Sequence, residues 1–517
     1  MWASKALVLP VLLCIGTGLS AANAQSDAPM SAIDWLSKSV ASPAIAIPGI
    51  RNEPPVTDGA APRTIVVRPI DGPSLDGLGL LSVAKTGLPR DLWGTTSSAE
   101  LARLIRAERI NTLPAIQSLL YTLMLAEVAP PADSDGSGAI FLARVDKLLD
   151  LGALDPALAL LEMTKTPEPE PFRRWFDIAL LIGREDRACD IMLETPQIAP
   201  TFPARIFCLA RSGDWNAAAL SLRTGETLGF IEPEMAALLE RFLDPELFEG
   251  EPDLPMPARP SPLVLRLMEA IGQPLPTTTL PLAFAQADLR SNAGWKTRLE
   301  AGERLARTGA IEPNRLLGLY TERKAAASGG VWERVDAIQR LEAALGLRDA
   351  GTIGRLLPDT WAMMVEAELE VPFAALYGSR LAGLDLSGDA GLLAFRIGLL
   401  SADYESIARA HTPQDAEERF LIGLATGSPL GMKPPDQLGA AIQRAFLPAP
   451  RPSDAFSRLL DEKRLGEALL LGIDHITEGA RGELRDVTDG LELLRHVGLE
   501  TTARRAALEL VLLERRG

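Results

Sequence analysis

The chain has 517 residues, far more than one typical domain, and 47% of them are hydrophobic, as expected for a globular protein with a large buried core. Its formal net charge of −16 at pH 7 disfavours densely anionic partners, because a nucleic acid or an anionic membrane surface must be met by clustered Lys and Arg. Composition therefore predicts a folded protein of more than one unit that does not bind nucleic acid.

The first 24 residues have the features of a secretory signal peptide. Lys5 gives a positively charged start, an apolar run extends to Ile15, and residues 22–24 (Ala-Asn-Ala) are small, as a signal peptidase requires. The alternative is a membrane anchor, but the apolar run is shorter than the roughly 20 residues of a spanning helix, and Pro10 interrupts it. We therefore predict cleavage after residue 24 and a periplasmic mature chain without membrane insertion.

Residues 25–95 differ in composition from the rest of the chain. They are rich in Pro, Gly and Ala, and seven prolines between residues 43 and 73 are spaced too closely for a helix. Two apolar islands, residues 32–36 and 64–68, could dock on a partner or fold back on the chain's own domain, and folding back is the simpler interpretation. We therefore predict a Pro-rich extended arm or linker.

From Ser98 onward the pattern becomes helical. Apolar residues recur at spacings of three and four, without the period-two alternation of a half-buried strand. Several prolines follow a capping side chain, at Asp155-Pro156, Ser261-Pro262 and Thr412-Pro413, which indicates that they begin helices rather than break them. The sequence therefore predicts an all-α fold.

One segment resembles the opening of a calcium-binding loop. Residues 133–138 supply side-chain oxygens at loop positions one, three and five, and Gly at position six. Position twelve is Arg144, where a bidentate Glu would be needed, so a positive charge replaces two ligand oxygens. We therefore predict no calcium site, and no other part of the sequence indicates a cofactor.

Internal repetition is the most informative feature of the helical region. Three segments each place an Ala five residues after a Gly, and their glycines are 31 and 30 residues apart: Gly152 with Ala157, Gly183 with Ala188, and Gly213 with Ala218. Gly can end a first helix in a conformation that bulkier residues resist, and the small Ala lets a second helix approach closely. The pattern therefore predicts repeated helical hairpins.

The third of these turns also carries Trp215, two residues after its Gly. Gly213, Trp215 and Ala218 match the hairpin turn of the tetratricopeptide repeat superfamily, which the chain resembles best over residues 139–230. The resemblance implies an α-solenoid, a superhelix of stacked hairpins whose concave face could hold a peptide or another protein. We expect core packing for Trp175 and Trp215, because both fall within the repeat pattern.

Cys189 and Cys208 are the two cysteines that remain after signal cleavage. They stand almost symmetrically about the expected turn at residues 195–201, so they would lie at similar heights on two antiparallel helices. An oxidising compartment favours a disulfide between them, whereas the alternative is two small residues buried in the core. We predict the disulfide.

Two Pro-rich stretches, residues 244–262 and 273–281, interrupt the helical pattern. We take the first as the boundary between an N-terminal helical repeat block, residues 96–250, and a C-terminal helical block, residues 261–517. A long surface loop within one continuous superhelix remains the alternative.

The sequence has no catalytic signature. The three histidines lie in no zinc-binding spacing, and no GxSxG elbow, phosphate-binding loop or dinucleotide fingerprint is present. Acidic pairs such as Glu366 and Glu368 are more typical of a solvated helix face than of general acid–base catalysis. We therefore predict a non-enzymatic protein.

These features together predict an exported helical-repeat protein that binds or scaffolds another cell-envelope protein or peptide. The alternative is a periplasmic hydrolase or glycan-acting enzyme without a recognisable motif. Some lytic transglycosylases carry a helical superhelix, but theirs ends in a lysozyme-like domain, whereas residues 400–517 here show only further helices.

Overall fold

The structure is a computed structural model that describes residues 74–164 and 168–513. It is 66% helical and has no strand among the described residues, which confirms the predicted all-α class, and the succession of helices is consistent with an α-solenoid. The predicted signal peptide, residues 1–24, and residues 25–73 of the predicted arm lie outside the described residues. Among the described helices, none is both long enough and apolar enough to cross a membrane.

The chain before residue 290 forms mostly short helices. Its α-helices are Val83–Thr86, Ser98–Ala107, Pro114–Leu125, Ala139–Asp150, Leu154–Glu162, Pro169–Ile182, Glu185–Glu194, Phe202–Arg211, Trp215–Thr227, Pro233–Leu243 and Pro262–Ala270. Segments of 3₁₀ helix lie at Leu75–Gly77, Pro196–Ile198, Pro245–Phe248 and Leu282–Leu289.

Longer helices occupy the middle of the chain, and a further set completes it. The middle helices are Trp295–Arg307, Pro313–Thr321, Val331–Leu347, Ala350–Glu366, Glu370–Ala382 and Gly388–Leu399. The last helices are Tyr404–Ala410, Ala416–Thr426, Gln437–Ala445, Asp454–Asp461, Leu465–Gly479, Leu484–His496 and Glu500–Leu512.

One of the three predicted Pro-type helix starts is present as expected. Ser261 precedes the helix Pro262–Ala270, and its hydroxyl accepts a hydrogen bond from the N–H of Val264 at 3.2 Å. Pro262 occupies the first helical position, where its missing N–H costs no intrahelical hydrogen bond.

The other two predicted starts are wrong by a few residues. Asp155 lies inside the first turn of the helix Leu154–Glu162 rather than before it. Thr412 precedes the helix Ala416–Thr426, but the cap of that helix is Asp415, whose carboxylate accepts the N–H of Glu418 at 2.8 Å. A stronger cap three residues downstream therefore sets that boundary.

The three repeat glycines each follow a helix. Gly152, Gly183 and Gly213 have φ angles of 76°, 77° and 88°, in the left-handed region that favours Gly. Space also matters at Gly152, because a Cβ there would lie 2.8 Å from Leu305 and 2.9 Å from Leu282. Ala157, Ala188 and Ala218 are fully buried on the helices that follow these turns.

The expected core packing of Trp215 is wrong. Its side chain is 51% exposed at the first position of the helix Trp215–Thr227, and its ring lies 6.4 Å from that of Phe242, centre to centre. That helix buries few of its residues, so its N-terminal end lies at the surface of the stack. Trp175 is partly buried, and the guanidinium of Arg187 lies 5.5 Å from its ring centre.

The helices enclose two main hydrophobic cores. One contains buried residues from 88–287 together with buried residues from 395–510. The other contains buried residues from 285–400 and includes Leu513 near the end of the described chain. The larger core is therefore built from both ends of the chain, and the middle helices have a core of their own.

Helices from the beginning and from the end of the described chain contact each other. The helices Ser98–Ala107 and Pro114–Leu125 contact Leu465–Gly479, and Pro114–Leu125 also contacts Glu500–Leu512. The N–H of Ala115 donates to a buried carboxylate oxygen of Glu509 at 2.8 Å. An early helix, Pro114–Leu125, and the last described helix, Glu500–Leu512, are thus in direct contact.

Residues 74–95, which we predicted as part of the arm, belong to the folded body. Leu92 and Trp93 are fully buried, and the carbonyl of Leu92 accepts the N–H of Gly466 at 2.8 Å. Leu81 forms an isolated parallel bridge with Ala126. This part of the predicted arm contains a single proline, Pro89, and the burial of its large apolar side chains stabilises its backbone against the helices.

The helices on both sides of the Pro-rich stretch 244–262 contribute buried residues to the larger core. The helix that follows it, Pro262–Ala270, packs on Pro169–Ile182 and contributes to the same core as the N-terminal helices. The change from one core to the other falls near residue 285 instead. The cores thus divide the chain differently from the predicted blocks 96–250 and 261–517.

Candidate functional site

A pocket of about 670 Å³ lies in the N-terminal half of the chain. Its walls come from the helices Pro169–Ile182, Phe202–Arg211, Pro233–Leu243 and Pro262–Ala270 and from the segment 254–257. Volumes of this size are typical of sites that hold a small molecule or a few side chains of a peptide. Solvent reaches the pocket, since the lining residue Met256 is 67% exposed. We call this site the Asp177 pocket.

The lining of the Asp177 pocket is mainly apolar. Phe202 and Phe230 both line it, with ring centres 5.7 Å apart. Other apolar lining residues are Ile231, Met235, Leu238, Leu263, Val264 and Met268. Such a surface binds apolar groups, because each Å² of apolar area removed from water contributes about 25 cal/mol.

Prolines shape the pocket because they begin the helices around it. Pro233 and Pro262 occupy the first positions of their helices, and Pro203 lies in the first turn of Phe202–Arg211. Pro203 and Pro233 line the pocket, and so do Ser261 and Leu263 on either side of Pro262. The N-terminal ends of three helices therefore meet at this site.

A single buried carboxyl, Asp177, interrupts the apolar lining. It lies on the helix Pro169–Ile182, is 7% exposed, and accepts no hydrogen bond from the described part of the chain. Burial raises the pKa of Asp177 to about 7, although the charges of Arg173 and Arg174 partly oppose this rise. The carboxyl is therefore about half ionised near neutral pH.

The two arginines nearest to Asp177 in sequence are bound to other acids. Arg174 donates from Nε to Asp146 Oδ1 at 2.5 Å and from Nη1 to Glu170 Oε2 at 2.8 Å. Arg173 donates from Nη2 to the same Glu170 oxygen at 2.8 Å. Their charges act on Asp177 only through space, so its carboxyl keeps its hydrogen-bonding capacity for a group that enters the pocket.

The pocket offers little for general acid–base chemistry. Its other acidic residues, Glu232 and Glu234, are exposed, and Ser261 serves as a helix cap. Among residues 74–164 and 168–513, the lining has no His, Cys or Lys that could act as a base or nucleophile beside Asp177. Throughout the described ranges, no group of three or more His, Cys, Asp or Glu is arranged to hold a metal ion.

The predicted disulfide between Cys189 and Cys208 is present, with the two Cα atoms 4.9 Å apart. It joins the helix Glu185–Glu194 to Phe202–Arg211, and the N-terminal residues of the second helix line the Asp177 pocket. The disulfide therefore fixes one wall of the pocket relative to the preceding helix.

None of the predicted repeat-turn residues lines the pocket. Gly152 packs against the side chains of Leu282 and Leu305, and Gly213 has no side chain near its missing Cβ. Trp215 lies on the helix after Phe202–Arg211 and faces Phe242 at the surface. These turns determine how consecutive helices pack. The pocket forms elsewhere, where three helices that have Pro in their first turn meet.

The calcium-like segment has a structural role. Asp133 accepts hydrogen bonds from the N–H and the hydroxyl of Ser98, at 2.9 and 2.8 Å, and so binds the first residue of the helix Ser98–Ala107. Asp76, which lies outside the segment, accepts the N–H groups of Ile140 and Phe141 at 3.0 and 2.9 Å.

Arg144, at the position where calcium would need a Glu, is completely buried. Its guanidinium donates to the carbonyls of Met124, Leu78 and Ala126 at 2.7, 2.7 and 2.9 Å. Burial lowers the pKa of Arg144 to about 10, which is still well above neutral. Arg144 therefore holds the N-terminal segment against the helices behind it.

The Asp177 pocket is the feature that sequence reasoning missed. Two local signals pointed to it: one acid within the apolar run at residues 176–182, and prolines clustered at 200–203, 233 and 255–262. Neither signal shows by itself that these segments meet, because they are separated by dozens of residues along the chain.

Comparison with known proteins adds no relative to this description. The chain matches no protein-family model, no curated protein and no solved structure.

Proposed function

We propose that this chain is an exported, non-enzymatic protein of the tetratricopeptide-like α-solenoid type, and that it binds or scaffolds another cell-envelope protein or peptide through the Asp177 pocket. The observation that carries the proposal is the pocket itself: a mainly apolar cavity of about 670 Å³ that solvent reaches. Cavities of this kind bind apolar groups of a ligand or a partner chain.

The repeat type is supported by the geometry of the turns. Gly152, Gly183 and Gly213 have positive φ angles after every second helix, and the Ala five residues after each is buried. This combination is what a close-packed helical hairpin requires. The early helices Ser98–Ala107 and Pro114–Leu125 contact the last helices, and we take the binding surface to be a local pocket rather than a long open groove.

Export to the periplasm is supported by two features. The first 24 residues have the charge, apolar run and small residues of a signal peptide. The disulfide between Cys189 and Cys208 is compatible with an oxidising compartment.

Site-directed photo-crosslinking in cells tests the binding role. A photo-reactive amino acid replaces Met256, which lines the pocket, and in a matched control it replaces Leu347, which is 81% exposed and lies on the distant helix Val331–Leu347. We expect a crosslinked envelope protein or peptide from the Met256 position alone. Its identity is read by mass spectrometry, and the resynthesised segment must bind the purified protein.

A pocket-filling variant, Ala237→Trp, provides the second arm of the experiment. Ala237 lines the pocket, so the larger ring should occupy the space and abolish crosslinking at position 256. Circular dichroism checks that the variant folds. Equal crosslinking from positions 256 and 347, or crosslinking unaffected by Ala237→Trp, would contradict the proposal.

The alternative, a periplasmic hydrolase or glycan-acting enzyme, has its own readout. Turnover of peptidoglycan fragments or of a peptide library by the purified protein, abolished by Asp177→Asn, would favour that alternative over binding alone.

A further inference from the structure

Within the described part of the chain, the charged groups that line the Asp177 pocket are all acidic. Asp177, Glu232 and Glu234 line it, and no described Lys, Arg or His does so. Glu232 and Glu234 are exposed, whereas Asp177 lies among apolar side chains. A ligand that brings negative charge would meet three carboxyl groups without a compensating base.

The helix N-termini at the pocket do not offset the negative charge of these three carboxyl groups. An uncapped N-terminus attracts anions, but Thr201 and Ser261 already accept the N–H groups of Ala204 and Val264, each at 3.2 Å. At the third helix, Pro233 removes one donor and Glu234 supplies an acidic side chain in the first turn. The pocket is therefore not built for a phosphate or a carboxylate.

The buried carboxyl has unused hydrogen-bonding capacity. Asp177 is 7% exposed and accepts no hydrogen bond from the described part of the chain. A ligand that fills the pocket displaces water from this carboxyl, and the carboxyl would be left unsatisfied at a cost unless the ligand brings a donor. A positively charged donor gains more than a neutral one, because charge-assisted hydrogen bonds are about twice as strong.

The shape of the lining suits a basic side chain with a long apolar stem. The methylene groups of Lys or Arg can pack against Phe202 and Phe230 while the charged end reaches a carboxylate. Glu232 and Glu234, the two exposed acids of the lining, favour the approach of a basic segment.

We propose that the Asp177 pocket binds an apolar peptide segment of a partner protein through one Lys or Arg side chain, whose stem packs against the paired rings of Phe202 and Phe230 and whose charged end donates to Asp177. The inference rests on the proposed function and specifies the chemistry of the partner. Specificity comes from the buried acid, and the apolar lining supplies general affinity.

Peptide binding to the purified mature chain, residues 25–517, tests the inference. The probes are three fluorescein-labelled peptides of equal length, each with Leu and Phe around one central residue, which is Lys, Gln or Glu. Fluorescence anisotropy gives the dissociation constants. We expect the Lys peptide to bind at least about tenfold more tightly than the Gln peptide, and the Glu peptide to bind most weakly.

Two substitutions assign that preference to the pocket. Asp177→Asn should reduce the affinity for the Lys peptide to that for the Gln peptide and leave the Gln peptide unchanged. Glu333→Gln removes an exposed charge on the distant helix Val331–Leu347 and should change neither affinity, which controls for general attraction to the net charge of −16. Thermal melting of each variant verifies that it is folded.

The outcomes separate this inference from the proposed function. If all three peptides bind equally and Ala237→Trp abolishes their binding, the role of Asp177 is wrong and the binding pocket stands. If none binds and photo-crosslinking also fails, both are wrong.

One further outcome concerns the chain's own N-terminal region. Residues 63–68 (Arg-Thr-Ile-Val-Val-Arg) have the same apolar and basic character and lie outside the described residues. A chain that begins at residue 74 is therefore compared with the mature chain. If the two chains bind the Lys peptide equally tightly, the result supports a separate partner. If the shorter chain binds much more tightly, the proposal of a separate partner is wrong, because the chain's own segment then occupies the pocket.

Discussion

The hydroxyl oxygens of Thr112 and Thr477 lie 2.7 Å apart in the protein interior, although 365 residues separate the two threonines in sequence. Thr477 donates to the carbonyl of Ile473 at 2.8 Å, so Thr112 is the donor in the bond between the two hydroxyls. This bond lies where the first helices of the described chain meet the last. Contacts of such high sequence separation make the stability of both ends mutually dependent.

Loss of this hydroxyl pair should destabilise the whole fold. We expect Thr477→Val to lower the free energy of unfolding by about 1–3 kcal/mol, because the buried Thr112 hydroxyl loses its acceptor. The measurement is urea denaturation followed by circular dichroism. Thr321→Val is the matched control, since Thr321 also bonds a helix carbonyl, that of Leu317 at 2.8 Å, but is exposed. Equal losses for both variants would show that the junction bond contributes nothing specific.

The buried carboxyl of Asp177 should make stability depend on pH. Burial raises its pKa from 3.8 to about 7, against the partial opposition of Arg173 and Arg174, so between these pH values the folded chain binds a proton that the unfolded chain has released. Folding stability therefore falls as pH rises from about 4 to about 7, and the effect is constant above that range.

Replacing the acid removes this dependence. We expect Asp177→Asn to leave stability nearly unchanged at pH 4 and to raise it at pH 8 by up to roughly 4 kcal/mol. Glu232 and Glu234 also line the pocket, but both are exposed. Asp359→Asn, at an exposed site, should show no such trend in melting temperature between pH 4 and pH 8. A constant difference between Asp177→Asn and the unchanged chain across this range would refute the perturbed titration.

A second buried acid lies at the junction of the two chain ends. Burial raises the pKa of Glu108 to about 8; Asp474 adds to the rise and the charge of Lys147 opposes it. Near the same junction, burial also raises the pKa of Asp474 above its usual range. The folded chain thus retains a proton at Glu108 that the unfolded chain has lost, so the junction should weaken as pH rises to about 8.

Hydrogen exchange at backbone amides measures this weakening. We expect protection in the helices Ser98–Ala107 and Leu465–Gly479 to decrease between pH 6 and pH 9 after correction for the intrinsic exchange rate. Glu108→Gln should suppress that decrease, and protection in the distant helix Val331–Leu347 provides the internal reference. If Glu108→Gln exchanges with the same pH dependence as the unchanged chain, Glu108 does not control the junction.

The disulfide should stabilise the N-terminal helices and the pocket together. Closing a loop between Cys189 and Cys208, 19 residues apart, is expected to contribute about 3 kcal/mol. Replacing both cysteines by Ser should lower the melting temperature and also weaken peptide binding, since the helix Phe202–Arg211 forms a pocket wall. Mass spectrometry of the unreduced protein checks the bond, and two alkylatable thiols in protein purified from the periplasm would contradict it.

Local sequence determined much of the secondary structure. Spacings of three and four predicted helices, and the structure is all-helical in its described part. Cys189 and Cys208 could be paired because they flank one short turn, where geometry depends on few residues. The caps show the limit of such reasoning: Ser261 begins its helix as predicted, but Asp415 replaces Thr412 because nearby capping residues compete.

Only the tertiary structure decided how the helices are arranged and where a ligand could bind. Trp93 is fully buried although it lies in the predicted arm, and Trp215 is half exposed although it follows a repeat-turn Gly, because burial depends on which distant helices pack nearby. The surroundings of Asp177 also depend on distant parts of the chain, because its pocket is lined by residues as far away in sequence as Met268. Hydrophobic periodicity specifies which face of a helix is buried, but it does not specify the partner, since apolar packing is non-directional and many helix faces are chemically alike.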